Sequence, residues 1–105
     1  MRQNGTMPTA DVIHDADRTC YQLVRDGVEI GVADYRLLGD PGDASGVVEF
    51  HHTVVDPTER GHGYAARLVQ ASLDDVRTRG LRVKASCWYV DQFIAEHPDY
   101  ADLRA

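Results

Sequence analysis

The first half of the chain arranges apolar and β-branched residues in the way that β-strands do. A short strand is expected around Val12-Ile13 and a longer one over Thr19–Arg25. The dipeptide Asp26-Gly27 follows and favours a tight hairpin turn, because glycine tolerates a positive φ. Val28–Leu38 is expected as the returning strand, and Val47–Val55 carries the strongest strand signal in the chain. The pattern predicts antiparallel strands in this half.

The apolar period changes to that of a helix from Tyr64 onward, and Gly80 is well placed to end this helix in a left-handed conformation. Leu81–Ala85 alternates again and predicts a strand. Trp88–His97 predicts a second helix, which Pro98 stops. The segment from 47 to 85 is then a βαβ unit, whose two strands lie parallel with a right-handed crossover. The expected fold class is α+β or α/β, with a mixed, mostly antiparallel sheet and flanking helices.

Length and cysteine content indicate one domain in a reducing compartment. The 105 residues suit a single domain over residues 11–105 after a polar, flexible leader over residues 1–10. Cys20 and Cys87 lie far apart in sequence, which predicts reduced thiols and a cytoplasmic protein. The leader has no apolar segment typical of a signal peptide, and no run approaches the ~18 apolar residues of a membrane span.

The charge of the chain narrows the class of ligand. The formal net charge is −6 and the pI is near 5.1. This argues against sequence-independent binding to nucleic acid, which needs a basic face. An acidic surface mildly favours a cationic ligand such as an amine, through the rate of encounter.

A glycine-rich loop, Arg60–Ala65 (RGHGYA), lies between the strongest strand and the strongest helix. A helix N-terminus presents unpaired backbone N–H groups and the positive end of the helix dipole, so it attracts phosphate. Small residues at 61, 63 and 65 let the backbone approach a bulky pyrophosphate. No Gly-Lys-Ser/Thr follows, and Arg67 stands where a dinucleotide fingerprint has its third small residue. The context therefore predicts a phosphate-binding loop of another kind.

The chain resembles the GNAT superfamily of N-acetyltransferases. Their signature, Q/R-x-x-G-x-G/A between a strand and a helix, is filled here by Arg60, Gly63 and Ala65. More narrowly, the chain is similar to a group of very short GNAT-related proteins that combine this loop with three further motifs, which makes four in all. The matching segments, in order along the chain, are His52-Thr53, Arg60–Ala65, Cys87–Val90 (CWYV) and His97–Tyr100 (HPDY). The resemblance runs from about residue 12 to residue 103.

The resemblance implies a GNAT-type fold with an acetyl-CoA site at a split in the sheet beside Val55. The strand would pair its main chain with the pantetheine arm, and backbone amides of the loop would hold the pyrophosphate. An amide near Thr53 or Val54 would polarise the thioester carbonyl. The implied cofactor-binding residues are Thr53, Val54, Val55, Arg60, Gly61, His62, Gly63, Tyr64 and Ala65. The implied reaction is direct attack by a primary amine of a small molecule or protein.

Four side chains are candidates for catalysis: Cys87, His52, Glu49 and Tyr89. Cys87 leads into a helix, whose N-terminus stabilises a thiolate, so it could protonate the leaving CoA thiolate or accept an acyl group transiently. Alternation places His52 on the more apolar face of its strand, where it would act as a base or be a core histidine. Glu49 is either a general base or a solvated carboxylate. Larger family members often carry a proton-donating Tyr where Phe93 stands, and Tyr89 is the alternative donor.

Two other functions remain open. A non-catalytic acyl-CoA-binding module fits the lack of the long N-terminal helices that usually build the acceptor pocket, and it fits Phe93. A protein-interaction domain on the same fold is the third interpretation. A metal site would use His51, His52, His62, His97 and Cys87, but no pair has the spacing typical of metal ligands. The acceptor, the true acyl group and the oligomeric state stay open.

Overall fold

Five strands form one sheet in the order of the chain. The computed structural model describes residues 10–39, 46–59 and 61–105. The strands are β1 (Ala10–Asp15), β2 (Cys20–Arg25), β3 (Val28–Leu38), β4 (Val47–Val55) and β5 (Arg82–Ala85). Neighbours pair antiparallel except β4 and β5, which pair parallel. The predicted mixed, mostly antiparallel sheet with a βαβ unit is confirmed.

Two α-helices and two short 3-10 segments complete the described fold. Helix α1 is Tyr64–Thr78 and helix α2 is Trp88–Glu96. The 3-10 segments are Pro57–Glu59 and Pro98–Leu103. Within the described ranges, no helix is long and apolar enough to cross a membrane.

Most element boundaries agree with the sequence pattern within one residue, and β1 is the main difference. It extends over six residues rather than the short stretch expected around residues 12 and 13, and its first residue, Ala10, is fully buried. Ala10 was the last residue of the predicted leader, whose other nine residues lie outside the described part of the chain. β1 is therefore a full edge strand of the sheet.

Glycine ends two elements where a positive φ is required. Asp26 and Gly27 have φ angles of 53° and 79°, as the two central residues of a type I′ hairpin turn do. After α1, Gly80 has a φ of 73°. Its N–H donates to the carbonyl of Arg77 at 3.0 Å, and the N–H of Leu81 donates to Val76 at 3.2 Å. This is a Schellman motif, and it ends α1 as predicted.

Both helices pack on the same face of the sheet. Val69 and Leu73 of α1 and Val90 of α2 meet Ala33 and Phe50 of the central strands. The apolar stripe of α1, spaced three and four residues apart, is thereby removed from water, which is the main force that holds helix and sheet together. No described element covers the other face of the sheet, on which Ile13 and Val54 are about half exposed.

A β-bulge in β4 changes which side chains face the helices. Phe50 pairs with Tyr35 and His52 pairs with Asp34, so His51 has no partner on β3. The extra residue shifts the alternation by one position. As a result, Thr53 and Val55 lie on the helix-covered face with Phe50, and His52 lies on the open face.

The faces expected from strict alternation are therefore wrong beyond Phe50. Alternation put His52 and Val54 on the covered face with Phe50, and Thr53 on the other. Both His52 and Val54 are exposed, whereas Val55 is buried. The cause is the unpaired residue His51, since one inserted residue inverts every side chain that follows it in a strand.

A hydrogen-bonded cluster joins the edge of the sheet to the end of α1. The carboxylate of Asp75 accepts 2.6 Å hydrogen bonds from the hydroxyl of Tyr21 and from Nε of Arg79. The ring of His14 stacks on Tyr21, with Nδ1 3.0 Å from Arg79 and Nε2 2.6 Å from the hydroxyl of Tyr35. Because arginine only donates, Nδ1 must accept, so the cluster holds the neutral imidazole with its proton on Nε2.

This cluster makes stability depend on pH. Burial, and then the charge of Arg79, lower the pKa of His14 below 6.5, against the opposing charges of Asp75 and Asp15. The unfolded chain then binds more protons than the folded chain just below that pH. We therefore expect the free energy of unfolding to keep its full value above about pH 6.5. It should fall as the pH drops through the lower pKa that His14 has in the folded state.

The measurement is guanidinium unfolding between about pH 7 and about pH 5, where few carboxyl groups titrate. His14→Gln should be less stable at neutral pH and should lose most of the pH dependence in this window. His62→Gln, which replaces an exposed histidine, is the matched control and should keep it. Equal pH dependence in the wild type and His14→Gln would exclude His14 as its source.

Candidate functional site

The parallel strands β4 and β5 separate after Phe50. β5 pairs with β4 only from Val47 to Phe50. The carbonyl oxygen of Phe50 then accepts hydrogen bonds from the backbone N–H groups of both Ser86, at 3.0 Å, and Cys87, at 2.8 Å. The chain leaves the sheet at this point and begins α2. The end of β4 thus has β3 on one side and a gap on the other.

Main-chain groups of β4 point into this gap. The N–H of Asp56 donates to a carbonyl of β3 at 2.7 Å. The carbonyl oxygen of Val54 lies 3.2 Å from where a Cβ on Gly31 of β3 would be. Both groups face β3, and main-chain groups of successive strand residues point to opposite edges. Those of Thr53 and Val55 therefore face the gap, where an extended ligand can pair with them as a strand would.

The gap opens into a cleft of about 560 Å³. Its walls are the end of β4, the connection from β4 to α1, and the first turns of both helices. It brings together most of the residues that the sequence predicted for the site. The lining residues are Thr53, Val54, Val55, Glu59, Gly61, Gly63, Tyr64, Ala65, Ala66, Cys87, Trp88 and Tyr89.

The N-terminus of α1 forms one wall of the cleft. Gly61 and Gly63 have φ angles of 89° and 73°, and a Cβ at either position would meet nothing within 4 Å. Gly63 is the N-cap, and no side chain of the described residues hydrogen-bonds to this helix end. The first N–H groups of a 15-residue helix are thus left to an external acceptor, in open space that suits an anion. Arg60, also predicted for this site, lies outside the described residues.

The start of α2 forms the opposite wall with three consecutive side chains. The thiol of Cys87 is 3.6 Å from the hydroxyl of Thr53 on β4, so the two walls touch across the split. Trp88 is 74% exposed, an unusual position for the largest apolar side chain. Burial, and then the nearby charge of Glu96, raise the pKa of Tyr89. Tyr89 is protonated at neutral pH, as a tyrosine with an unshifted pKa also is.

Glu49 and His52, two of the four catalytic candidates, do not line the cleft. Glu49 accepts a short hydrogen bond from the hydroxyl of Ser86 and pairs with Arg36 at 3.2 Å and Lys84 at 4.0 Å. The Ser86 hydrogen bond first, and then the two positive charges, lower the pKa of Glu49, which makes it a weak base. His52 is exposed on the open face, paired across strands with Asp34.

His62 and Phe93 are also not among the residues that line the cleft. His62 is exposed, with its ring 5.4 Å from that of Tyr64. Phe93 is buried in the core, where it stacks on His97 at 4.0 Å. Across the described ranges, no group of three or more His, Cys, Asp or Glu side chains is arranged to hold a metal ion.

Three cleft residues were not singled out as site residues from the sequence: Glu59, Ala66 and Trp88. The signal for Trp88 was its place between Cys87 and Tyr89, both of which were predicted. Ala66 continues the small residues of the glycine loop into the helix. Glu59 has no local signal, since the residue it pairs with, Arg25, lies 34 positions earlier in the chain.

Most of the chain, from β2 to the C-terminal 3-10 segment, corresponds to a known family. The profile of the GCN5-related N-acetyl-transferases matches residues 20–103. The chain therefore belongs to the GCN5-related N-acetyltransferase family. Among curated relatives, the protein NATD1 of Danio rerio is 35% identical over 94 residues, which cover 87% of this chain and 81% of that protein. NATD1 of Bos taurus is 40% identical over 52 residues, which cover 50% of this chain and 46% of that protein.

Solved acetyltransferases share the fold. The aminoglycoside N-acetyltransferase AAC(6')-Iy in complex with CoA is 27% identical, with a TM-score of 0.52 over 82% of this chain and 59% of that chain. Arabidopsis thaliana Naa50 in complex with a bisubstrate analogue is 16% identical, with a TM-score of 0.53 over 65% of this chain and 45% of that chain. The chain spans about half the length of these structures, and the likeness to Naa50 concerns the fold alone.

The close approach of β3 to β4 can be tested at Gly31. A Cβ there would come within 3.2 Å of the Val54 carbonyl and of a Val55 methyl group. We expect Gly31→Ala to lower the free energy of unfolding by about 1–3 kcal/mol, because overpacking forces β4 to shift. Chemical denaturation measures this. Ala33→Gly is the control in the opposite direction, because it removes a methyl group from the same strand instead of adding one. Unchanged stability in Gly31→Ala would contradict the close packing.

Proposed function

We propose that this protein binds acetyl-CoA in the cleft and transfers the acetyl group to a primary amine. The observation that carries the proposal is the meeting of two features in one cleft. One is the free edge of β4 at Thr53 and Val55, and the other is the uncapped N-terminus of α1 behind Gly61 and Gly63. An extended amide-containing arm that ends in a pyrophosphate needs both features, joined in this order.

The cofactor fits the residues that are present. The main-chain groups of Thr53 and Val55 would pair with the amides of the pantetheine arm. The N–H groups at the start of α1 would hold the pyrophosphate, with His62 and Arg60 proposed at the rim. Open space above Gly61 and Gly63 favours this, since any Cβ there would intrude on the bound phosphates.

The chemistry is an attack by the neutral amine on the thioester carbonyl. The C–N bond forms, the carbonyl oxygen becomes negative, and the C–S bond then breaks to release the CoA thiolate. The N–H of Thr53, which faces the gap, is the proposed donor to the developing oxyanion. Val54 is a poorer candidate for this role because its main-chain groups face β3.

Two side chains are proposed donors to the departing thiolate. Tyr89 lines the cleft and carries a phenol proton at neutral pH, as any tyrosine with an ordinary or raised pKa does, and Cys87 sits against Thr53 at the split. His52 remains the hypothesis for the base that removes a proton from the ammonium form of the acceptor amine, since an imidazole suits this task near neutral pH. Its exposed position requires the acceptor to approach from the open face of the sheet.

The second candidate function is a non-catalytic acyl-CoA-binding module. It is favoured by the burial of Phe93 against His97, which leaves no tyrosine at that position of α2. It is also favoured by the uncovered face of the sheet, where no described element forms an acceptor pocket. A protein-interaction domain, without cofactor, is the third candidate.

Calorimetric titration with acetyl-CoA, and with CoA in parallel, separates these functions. Saturable binding followed by amine-dependent release of CoA supports the transferase. Binding without turnover across a panel of amines supports the module. No binding at about millimolar ligand, where even weak specific complexes form, would leave the interaction domain.

The phosphate position is tested at Gly63. Gly63→Glu should abolish binding of acetyl-CoA because its carboxylate would occupy the space in front of the helix N-terminus. Gly63→Ala is the matched control: it carries the same strain of a left-handed residue, about 1 kcal/mol, without the charge, and it should bind with a smaller loss. Wild-type affinity in Gly63→Glu, measured by calorimetry, would contradict the assignment of the loop.

The thiol is tested at Cys87. If it protonates the leaving group, Cys87→Ala should lower kcat about 100-fold or more, in the range of a lost general acid, and leave the dissociation constant of acetyl-CoA unchanged. Tyr89→Phe is the comparison, because it removes the competing donor while keeping the ring. Unchanged kcat in Cys87→Ala together with a loss in Tyr89→Phe would assign the proton to the tyrosine.

A further inference from the structure

The wall of the proposed cofactor cleft contains a carboxylate. Glu59 ends the 3-10 segment Pro57–Glu59 and is one of the residues that line the cleft, and 17% of its side-chain surface is exposed. A pyrophosphate that binds at the nearby helix N-terminus is also negative. Like charges repel each other, and the repulsion is strongest where solvent is excluded. A carboxylate in this wall therefore opposes the ligand unless its charge is compensated.

Arg25 supplies a compensating charge from another element. It is the last residue of β2, and its Nη2 lies 2.7 Å from Oε1 of Glu59. The Arg25 side chain is 28% exposed, so salt screens this pair less than it screens a surface pair. The pair joins the end of β2 to the wall of the cleft.

The turn that carries Glu59 is held by its own hydrogen bonds. Oδ1 of Asp56 accepts from the N–H of Thr58 at 2.9 Å and from its hydroxyl at 2.8 Å. The N–H of Glu59 donates to the carbonyl of Asp56 at 2.8 Å. Asp56 is itself anchored to β3. These hydrogen bonds give the turn its shape, and the ion pair with Arg25 is an additional contact.

The pair is also poorly suited to be a source of stability. Nε of Arg25 is buried and has no hydrogen-bond partner among the described residues. A buried donor without a partner is destabilising, and a mostly buried ion pair roughly offsets its own desolvation. A role in stability therefore explains the pair less well than a role in the charge of the cleft.

We propose that Arg25 is a charge-compensating residue of the cofactor site, which neutralises Glu59 so that the phosphates of a CoA-type ligand can bind. The inference rests on the proposed function. It places a specificity-determining residue on β2, outside the glycine loop and outside the cleft lining. It also limits the effect to ligands that carry phosphate groups.

Four charge variants test this by calorimetry with CoA. Arg25→Gln exposes the charge of Glu59 and should weaken binding about tenfold. Glu59→Gln removes the carboxylate and should bind as well as or better than the wild type. The double variant Arg25→Gln/Glu59→Gln should recover to within about threefold of the wild type, and Arg25→Lys, which keeps the charge, should also stay within about threefold.

Two controls separate charge from position. Arg18→Gln removes the same charge from an exposed arginine 3.8 Å from Glu29, and it should leave CoA binding unchanged. S-acetylpantetheine carries the thioester arm without phosphates, so Arg25→Gln should not weaken its binding. The loss in Arg25→Gln should also shrink as salt is raised, because screening reduces the repulsion.

The outcomes distinguish this inference from the proposed function. Wild-type binding of CoA with equal losses in Arg25→Gln, Glu59→Gln and the double variant would show that the pair only positions the turn, and would overturn the inference alone. Unchanged binding in Arg25→Gln, confirmed as folded by circular dichroism, would do the same. Absence of CoA binding by the wild type would overturn the proposed function and this inference with it.

Discussion

The rest of the site depends on the two hydrogen bonds that the carbonyl oxygen of Phe50 accepts. One carbonyl receives the N–H groups of both Ser86 and Cys87, so the parallel ladder between β4 and β5 ends there. A carbonyl has two lone pairs, and using both on one side satisfies the two N–H groups at the point where the chain leaves the sheet. Everything beyond this point follows: β4 has a free edge, and α2 begins beside it with Cys87 against Thr53.

The bulge at His51 decides which groups occupy that free edge. Without the extra residue, the exposed Val54 and His52 would face the helices, and Thr53 would face the open side. With the extra residue, Val55 is buried beneath the cleft and its main-chain groups are directed into the gap. Gly31 on β3 complements this arrangement, because a Cβ there would lie only 3.2 Å from the Val54 carbonyl oxygen and from a Val55 methyl carbon. The shape of the cleft is thus set by β3 and β4 together.

Local signals were sufficient for the elements but not for the pairings between them. The β-branched run of β4, the helical period after Tyr64 and Gly80 at the end of α1 each act within a few residues, so the sequence predicted them. The bulge at His51 depends on how β3 and β4 align, which no local pattern contains. The pairing of Arg25 with Glu59 likewise joins residues 34 positions apart, so neither residue stood out in the sequence.

The proposed binding and the proposed chemistry use different kinds of groups. Binding relies on main-chain groups of β4 and α1, together with glycines that leave room, so it follows from the backbone of the fold. Chemistry relies on the side chains of Cys87, Tyr89 and His52, which the fold carries but does not require. Function in a shared fold is determined by such side chains. A transferase and a non-catalytic module of this family would therefore have the same cleft, and the difference between them lies in whether these three side chains can move the protons that a reacting thioester demands.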